Sequence, residues 1–564
     1  MLRGIAASKG IGIGRAVIIE QQKITYETGP VKDVEQEKAR LHRAINDFVS
    51  DTEDLAKELE QALHAKDTAI IRGHITMLSD PFMIEEMDEL ITGGQPAEAA
   101  VESVLDMFKG LFQSSEDELT RQRATDVEDI KRNLLEILLG IEQIDLKHLP
   151  ENTILVISDL TPSMTAEMDH DNVIGIVTES GGMTSHSAIL ARALEIPAVL
   201  SVPDALSKLK GGQEIIVDGV NGAVIADPDP ETAAEYQSRR DDAIREKELL
   251  RVFQGKATVT GDGTPRQVFC NIGTPKDAES AVEHDCEGIG LFRTELLFMD
   301  RDSRPDEETQ YEAYRQVCET LQGKPVIIRT LDVGGDKDIP YIHVGEEENP
   351  FLGYRAVRYC LRNQDAYKMQ LRALIRAGAD TNEHLRIMIP MVTTATEIQT
   401  VRALAEEICC ETDLMMPMIG TMIETPAASI MADVLAKYCD FFSIGTNDLT
   451  QYIMAADRGN SSVAYLYKAY DPAVLRALRG IITAGVNAGI PVGMCGEAAS
   501  DPLLIPLLIG FGLEEFSVSP ASVLKTRREI SRWTMAEAKK IADHALTLET
   551  ADEVETYLTE IGKR

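Results

Sequence analysis

One histidine is placed for nucleophilic chemistry, in the string Gly181-Gly182-Met183-Thr184-Ser185-His186-Ser187-Ala188-Ile189-Leu190-Ala191-Arg192. The apolar run at 173–177 reads as a buried strand, and 187–194 reads as a helix stopped by Pro197. The glycines then form a strand-to-helix turn, with His186 in the first helical turn. Free backbone N–H groups and the positive end of a helix dipole suit that position to a phosphoryl group. An imidazole there can attack phosphorus and hold the dianion it acquires. A lone Gly-Gly turn beside a histidine would read more simply as a capped turn with a surface side chain. The length of the string favours the chemical reading.

A second set of groups trails a series of short apolar runs. The runs lie at 267–271, 288–292, 325–331, 386–391, 419–424, 440–445, 490–496 and 515–519, with helical stretches between them. Arg293 and Glu295 follow the second run. Arg329 and Asp332 close the third, ahead of Gly334-Gly335-Asp336-Lys337. Glu424 closes the fifth, Asn447 and Asp448 follow the sixth with Arg458 beyond, and Cys495, Gly496 and Glu497 close the seventh. The forks of Arg293, Arg329 and Arg458 could clamp a phosphate and a carboxylate. Glu424 and Asp448 offer hard oxygens to a magnesium ion that keeps several waters. Cys495 adds a proton carrier of tunable pKa. These groups cover a small trianionic substrate, a metal, phosphoryl transfer and one proton transfer to carbon. Any single one could be a rim salt bridge; such groups at five strand ends are harder to explain structurally.

About eight strands alternating with helices predict a (β/α)8 TIM-type barrel, whose chemistry sits at the C-terminal strand ends. An open doubly wound sheet is the alternative. Earlier in the chain, Gly10-Ile11-Gly12-Ile13-Gly14-Arg15-Ala16-Val17-Ile18-Ile19 reads as a turn feeding a strand, and Pro30 opens a helical region. Leu41, Ile45, Phe48 and later Val127, Ile130, Leu134 recur at helical spacing, which predicts about four helices between 31 and 143, arranged as a bundle. This region interrupts an α/β domain whose strands are read at 154–158, 173–177 and 214–217, with a hairpin turn at 218–222. The expected organisation is multidomain α/β: a phosphohistidine-type α/β domain from 1–30 and 144–229, an inserted helical domain at 31–143, a helical linker at 230–255 and the barrel at 256–564.

At 564 residues, several domains are expected. A net charge of −37 argues against nucleic-acid binding and against docking on anionic lipid. It fits a partner with a basic face, and any anion site must gather its positive charge locally. No apolar run approaches the length of a membrane span, and the N-terminus lacks a signal-peptide core. The eight cysteines match no zinc spacing, so reduced thiols in the cytoplasm are the expectation.

The histidine string resembles the phosphohistidine signature shared by enzyme I of the phosphoenolpyruvate-dependent sugar phosphotransferase system, pyruvate phosphate dikinase and phosphoenolpyruvate synthase. The C-terminal strings also resemble enzyme I: Asn349-Pro350-Phe351-Leu352-Gly353-Tyr354-Arg355-Ala356, Ile423-Glu424-Thr425-Pro426-Ala427-Ala428, Gly445-Thr446-Asn447-Asp448-Leu449-Thr450, Asp457-Arg458-Gly459-Asn460 and Gly493-Met494-Cys495-Gly496-Glu497. The resemblance implies that His186 takes the phosphoryl group, that Arg293, Arg329, Asn447, Asp448 and Arg458 bind phosphoenolpyruvate, and that Glu424 and Asp448 ligate magnesium. It implies that Cys495 protonates C3 of the enolate to give pyruvate, with Thr165 and Arg355 in support. Two departures, Met183 at a usually basic position and Lys9 in place of a frequent proline, touch no catalytic group.

The same resemblance implies transfer of the phosphoryl group to a histidine of the small carrier HPr, docked on the helical insertion, and a homodimer formed through the barrel. His74, Asp80, Glu85 and Glu86 are expected near the docking surface, where acids would complement a basic carrier. One histidine serving both a barrel and a protein partner implies a swivel about 230–254. A dikinase or synthase would need an ATP-grasp domain, and a nitrogen-regulatory enzyme I a sensory domain, for which the sequence read here leaves no room. A regulatory phosphoenolpyruvate sensor would be free to lose His186 or Cys495.

Overall fold

The computed structural model describes residues 1–563 apart from 20–23, 63–66, 115–117, 142–145, 147, 162–163, 165–167, 170–171, 183–184, 195, 300, 302, 335–338, 340, 343–344, 346 and 382–383; at 54–62, 67–72, 118–123, 125, 186, 189–190 and 193 it describes the backbone alone. The chain divides into two compact units, Met1–Glu246 and Lys247–Arg564.

The first unit contains an eight-stranded sheet: β1 (Leu2–Arg3), β2 (Ile5–Ser8), β3 (Ile11–Ile19), β4 (Thr153–Ile157), β5 (Val173–Thr178), β6 (Ala198–Leu200), β7 (Glu214–Asp218) and β8 (Ala223–Ala226). Their order is β1-β8-β7-β3-β4-β5-β6-β2, with β3 to β6 mutually parallel and the others antiparallel to their neighbours. The expected turn and strand are found: Gly10, at φ +134°, precedes β3, which takes in Gly12 and Gly14. A Cβ on Gly12 would sit 2.3 Å from the Ile174 carbonyl oxygen, and one on Gly14 2.1 Å from that of Asn152. These glycines permit close backbone approach in the middle of a sheet. The β7–β8 hairpin matches its expectation: Asp218 Oδ1 accepts from the amides of Val220 and Asn221, and Gly222 takes φ +64°.

Among the described residues five helices, against the expected four or so, follow β3: α1 (Val34–Ala62), α2 (Asp67–Leu78), α3 (Pro81–Thr92), α4 (Ala97–Gln113) and α5 (Glu118–Leu139). Asp80 and Pro81 account for one of the breaks. The Phe82 amide donates to Asp80 Oδ1 at 2.9 Å, and proline occupies the first helical position, so α3 starts afresh after α2. Leu41, Phe48, Leu78, Met87, Ile91, Val101, Leu105, Ile130 and Leu134 form the shared core. His74 does not lie on a docking surface. It is fully buried, with Nε2 3.8 Å from Asp126 Oδ1 and Nδ1 4.0 Å from Asp129 Oδ2. Four residues from buried Leu78, it falls on the inward stripe of α2. Asp80 and Glu85 are exposed and Glu86 half-buried.

The second unit is built on a closed barrel of eight parallel strands: β9 (Gln267–Ile272), β10 (Ile289–Arg293), β11 (Val326–Arg329), β12 (Leu385–Ile389), β13 (Met418–Ile423), β14 (Phe442–Ile444), β15 (Val492–Met494) and β16 (Glu515–Val518). β16 pairs with β9 to close it, which excludes the open sheet. Strand alternation divides two cores. Val268, Cys270, Ile289, Phe292, Val326, Ile328, Ile423, Phe442, Ile444, Val492, Phe516 and Val518 belong to the large core that the helices share. Leu291, Ile327, Met388, Met422, Phe441 and Cys495 fill a separate cluster inside the barrel.

Candidate active site

The same alternation delivers functional groups to the barrel mouth. Arg293 stands two residues after Leu291, Arg329 two after Ile327, and Glu424 two after Met422, so each continues an inward-facing row to the C-terminal end of its strand. Cys495 follows β15 in the same way, two residues beyond Gly493. Asn447 and Asp448 come from the first turn of the helix Thr446–Met454, directly after β14. The mouth encloses a cavity of about 470 Å³ lined by Arg293, Arg329, Arg355, Glu424, Asn447, Asp448, Arg458 and Cys495, together with Glu295, Asp332, Tyr467 and Glu497. Every barrel residue singled out from the sequence therefore meets at one cavity.

Charge in the cavity is tightly paired. Arg329 Nη2 lies 2.5 Å from Glu295 Oε1, and its Nη1 is 3.3 Å from Asp332 Oδ2. Arg355, also buried, binds Asp332 through two 3.0 Å contacts and reaches Asp448 Oδ2 at 3.6 Å; Arg458 Nη1 lies 3.4 Å from Asp448 Oδ1. Burial alone would lower the Arg329 pKa, but the surrounding carboxylates outweigh it and hold the guanidinium charged. Burial raises the Glu424 carboxyl, and the charges of Asp448 and Asp332 raise it further. Desolvation pushes the Cys495 thiol up to about 11 against the pull of Ser443, Arg329 and Arg293, so it carries its proton at neutral pH.

Other groups hold these in place. Met391, a left-handed residue at φ +57°, points its amide at Glu424 Oε1, 2.6 Å away. Asn447 and Glu497 are joined by the Glu497 amide, 3.3 Å from Asn447 Oδ1, and Tyr467 donates to the Asn447 carbonyl at 3.2 Å. Met391 and Tyr467 sit in loops, where no period marks them.

In the first unit, the turn after β5 leads to the helix His186–Ala193. Gly181 takes φ +102°, and Ser185 Oγ accepts from the Ala188 amide at 3.3 Å. Ser187 Oγ donates to Asp159 Oδ1 at 2.9 Å and fixes the first turn. His186 is the first residue of the helix; its side chain, and Thr165, Met183 and Thr184, lie outside the described residues.

A closed parallel barrel whose mouth gathers four arginines and five carboxylates around one cavity is the architecture of an enzyme acting on a small charged substrate. Three family profiles match: "PEP-utilising enzyme, N-terminal" over 3–123, "PEP-utilising enzyme, mobile domain" over 149–222 and "PEP-utilising enzyme, PEP-binding domain" over 247–535. The phosphoenolpyruvate-protein phosphotransferase of Geobacillus stearothermophilus is 42% identical over 567 residues, covering 99% of this chain and 97% of its own. That of Bacillus subtilis (strain 168) is 41% identical over 572 residues, covering all of both chains. A solution structure of an Enzyme I (nEIt) protein is 35% identical, with a TM-score of 0.39, covering 43% of this chain and 99% of its own. The chain belongs to the phosphoenolpyruvate-utilising enzymes, within the phosphoenolpyruvate-protein phosphotransferase (enzyme I) family. It is a transferase that works by phosphoenolpyruvate-dependent phosphoryl transfer. Among the described residues no helix is long and apolar enough to cross a membrane.

Proposed function

We propose that the barrel mouth binds phosphoenolpyruvate, that His186 takes its phosphoryl group, and that a histidine of the carrier HPr receives it next. The convergence of Arg293, Arg329, Arg458, Asn447, Glu424, Asp448 and Cys495 on one cavity carries this reading. The arginines pair with the phosphate and the carboxylate of the substrate. Asn447 and the start of the helix at Thr446 offer further donors to its oxygens. Neutral His186 attacks phosphorus in line, and the bond from phosphorus to the enol oxygen breaks. The arginines neutralise charge on the transferring group and on the leaving enolate. The Cys495 thiol then gives its proton to C3, and pyruvate leaves. A thiol protonated at neutral pH suits that step.

Glu424 and Asp448 suit a divalent cation, for which magnesium is our reading. Both are buried carboxylates, and Asp448 Oδ1 accepts no hydrogen bond. When bound, the cation supplies Lewis-acid neutralisation of the phosphoryl and enolate oxygens. Glu85, Glu86 and Asp80 on and beside α3 supply negative charge for a basic carrier. Serving both partners requires the part of the chain that carries His186 to swivel about the linker at 230–255. A cytoplasmic homodimer formed through the barrel completes the proposal.

Incubation with phosphorus-labelled phosphoenolpyruvate and magnesium tests it. Acid-labile label on the wild type, absent from His186→Ala and discharged by added HPr, is expected. Label that persists in His186→Ala overturns the assignment.

A further inference from the structure

The main chain of Cys495 is gripped from both sides. Its amide donates to the Ile444 carbonyl of β14 at 3.1 Å. Its carbonyl has no partner in the sheet ladder, because the β15–β16 pairing ends at Met494 and Phe516. That carbonyl instead accepts from Asn271 Nδ2 at 3.0 Å. Asn271 lies near the end of β9, two strands away around the barrel, and reaches across β16 to make this bond. Its orientation is set in turn: Nδ2 also donates to the Ser517 carbonyl at 3.2 Å, and Oδ1 accepts from buried Ser517 Oγ at 2.7 Å.

Barrel closure does not need this amide. β9 and β16 are already joined through four register pairs, from Gln267–Glu515 to Cys270–Val518. The side chain also lines a second cavity of about 510 Å³, which shares Arg293, Asn447, Cys495 and Glu497 with the first. An amide spent on a carbonyl of the donor residue itself, beyond the end of the ladder, has a function beyond holding strands.

We infer that Asn271 is a positioning residue for proton delivery: by clamping the Cys495 carbonyl it holds Sγ over the carbon that is to be protonated. The inference rests on Cys495 as the acid of the proposed reaction. In that step the S–H bond breaks and a C–H bond forms at C3; the thiolate left behind regains its proton from water. A donor displaced by even part of an ångström delivers that proton slowly, whereas the arginines that bind the substrate are untouched.

Three variants test it: Asn271→Asp, Asn271→Leu and Cys495→Ala. Asn271→Asp keeps the size of the side chain and its acceptor for Ser517 Oγ, but when ionised it has no proton to give the Cys495 carbonyl. It is expected to lower kcat for pyruvate formation by about tenfold or more at neutral pH, with KM for phosphoenolpyruvate changed by less than about twofold. As pH falls and the new carboxyl takes a proton, activity relative to the wild type should recover. Asn271→Leu should lose a similar amount with no recovery. Transfer from phosphorylated HPr onto His186, which does not use the barrel, should match the wild type in both. Because the decisive comparison is Asn271→Asp against itself across pH, a uniform loss of folded protein cannot imitate it. Wild-type kcat in Asn271→Asp, or a loss with a wild-type pH profile, overturns the inference. If Cys495→Ala forms pyruvate at the wild-type rate, the assignment of Cys495 falls, and this inference with it. If Cys495→Ala is slow while Asn271→Asp is not, only the role of Asn271 falls.

Discussion

Arg355 and Asp332 form a two-pronged ion pair sealed from solvent, with both Asp332 oxygens 3.0 Å from Arg355 Nη2 and Oδ1 also 3.2 Å from its Nε. Asp332 lies as well 3.3 Å from Arg329 Nη1, so one carboxylate sets the direction of two guanidinium groups that line the cavity. Removing it leaves two buried guanidinium groups with one carboxylate fewer, Glu295 remaining beside Arg329 and Asp448 beside Arg355. Asp332→Ala is expected to destabilise the barrel by on the order of 3–5 kcal/mol and to raise KM for phosphoenolpyruvate. Thermal unfolding and steady-state kinetics on the same preparation check both effects. An unchanged melting temperature would show that the pair is not under load.

A thiol pushed up to about 11 keeps its proton well past neutrality. The alkaline limb of the pH–rate profile, where Cys495 loses the proton it must donate, is therefore expected above pH 10, and Cys495→Ser should slow pyruvate formation by about a hundredfold or more. Between the ordinary cysteine value and 11 the folded chain retains a proton that the unfolded chain has released, so this residue also lowers stability as pH rises through that interval. Pyruvate release followed by stopped flow across pH measures the first effect.

Glu515 has no role in the proposed chemistry, yet it sits inside the barrel. Its Oε1 accepts no hydrogen bond and lies 2.6 Å from where a Gly290 Cβ would stand. Burial raises its carboxyl to about 7, with Arg386 pulling the other way. From about pH 4 to 7 the native state holds this proton and the unfolded chain does not, so stability declines as pH rises through that window. Glu515→Gln should remove that decline and raise stability at pH 8 by on the order of 2–3 kcal/mol. Chemical denaturation at pH 5 and pH 8 gives the comparison, and parallel curves for the two proteins would contradict it.

Acids on α3 and the buried histidine of α2 should part company in experiment. Replacing Glu85 and Glu86 by lysine is expected to raise KM for the carrier by about fivefold at low salt, less at high salt, with little change in kcat. His74→Leu should instead change the stability of the helical bundle, since the ring is buried near Asp126 and Asp129. A carrier defect in His74→Leu without loss of stability would reverse that distinction.

Much of this was readable from residue order, for identifiable reasons. The barrel strands are short apolar runs closed by charged residues, and the period of two places Arg293, Arg329, Glu424 and Cys495 on inward rows. The same period marks Asn271, whose partner carbonyl belongs to a residue far along the chain and becomes visible only when β9, β16 and β15 are side by side. The glycines from 10 to 14 were legible as the entry to a strand but not as points of close backbone approach, because the Ile174 and Asn152 carbonyls they admit lie far along the chain. β1, β2 and β6 were missed because two to four residues carry too little alternation to register. His74 is polar by type and would read as surface on that ground alone, whereas its helical phase with Leu78 points inward.

Mass spectrometry of the peptide carrying residue 186, after brief exposure of the protein to phosphoenolpyruvate and magnesium, probes the central claim at its root. The account predicts one added phosphoryl group on His186, lost in acid, and none when Arg329 is replaced by methionine. A phosphoryl group on any other residue, or full labelling of His186 in Arg329→Met, would contradict it.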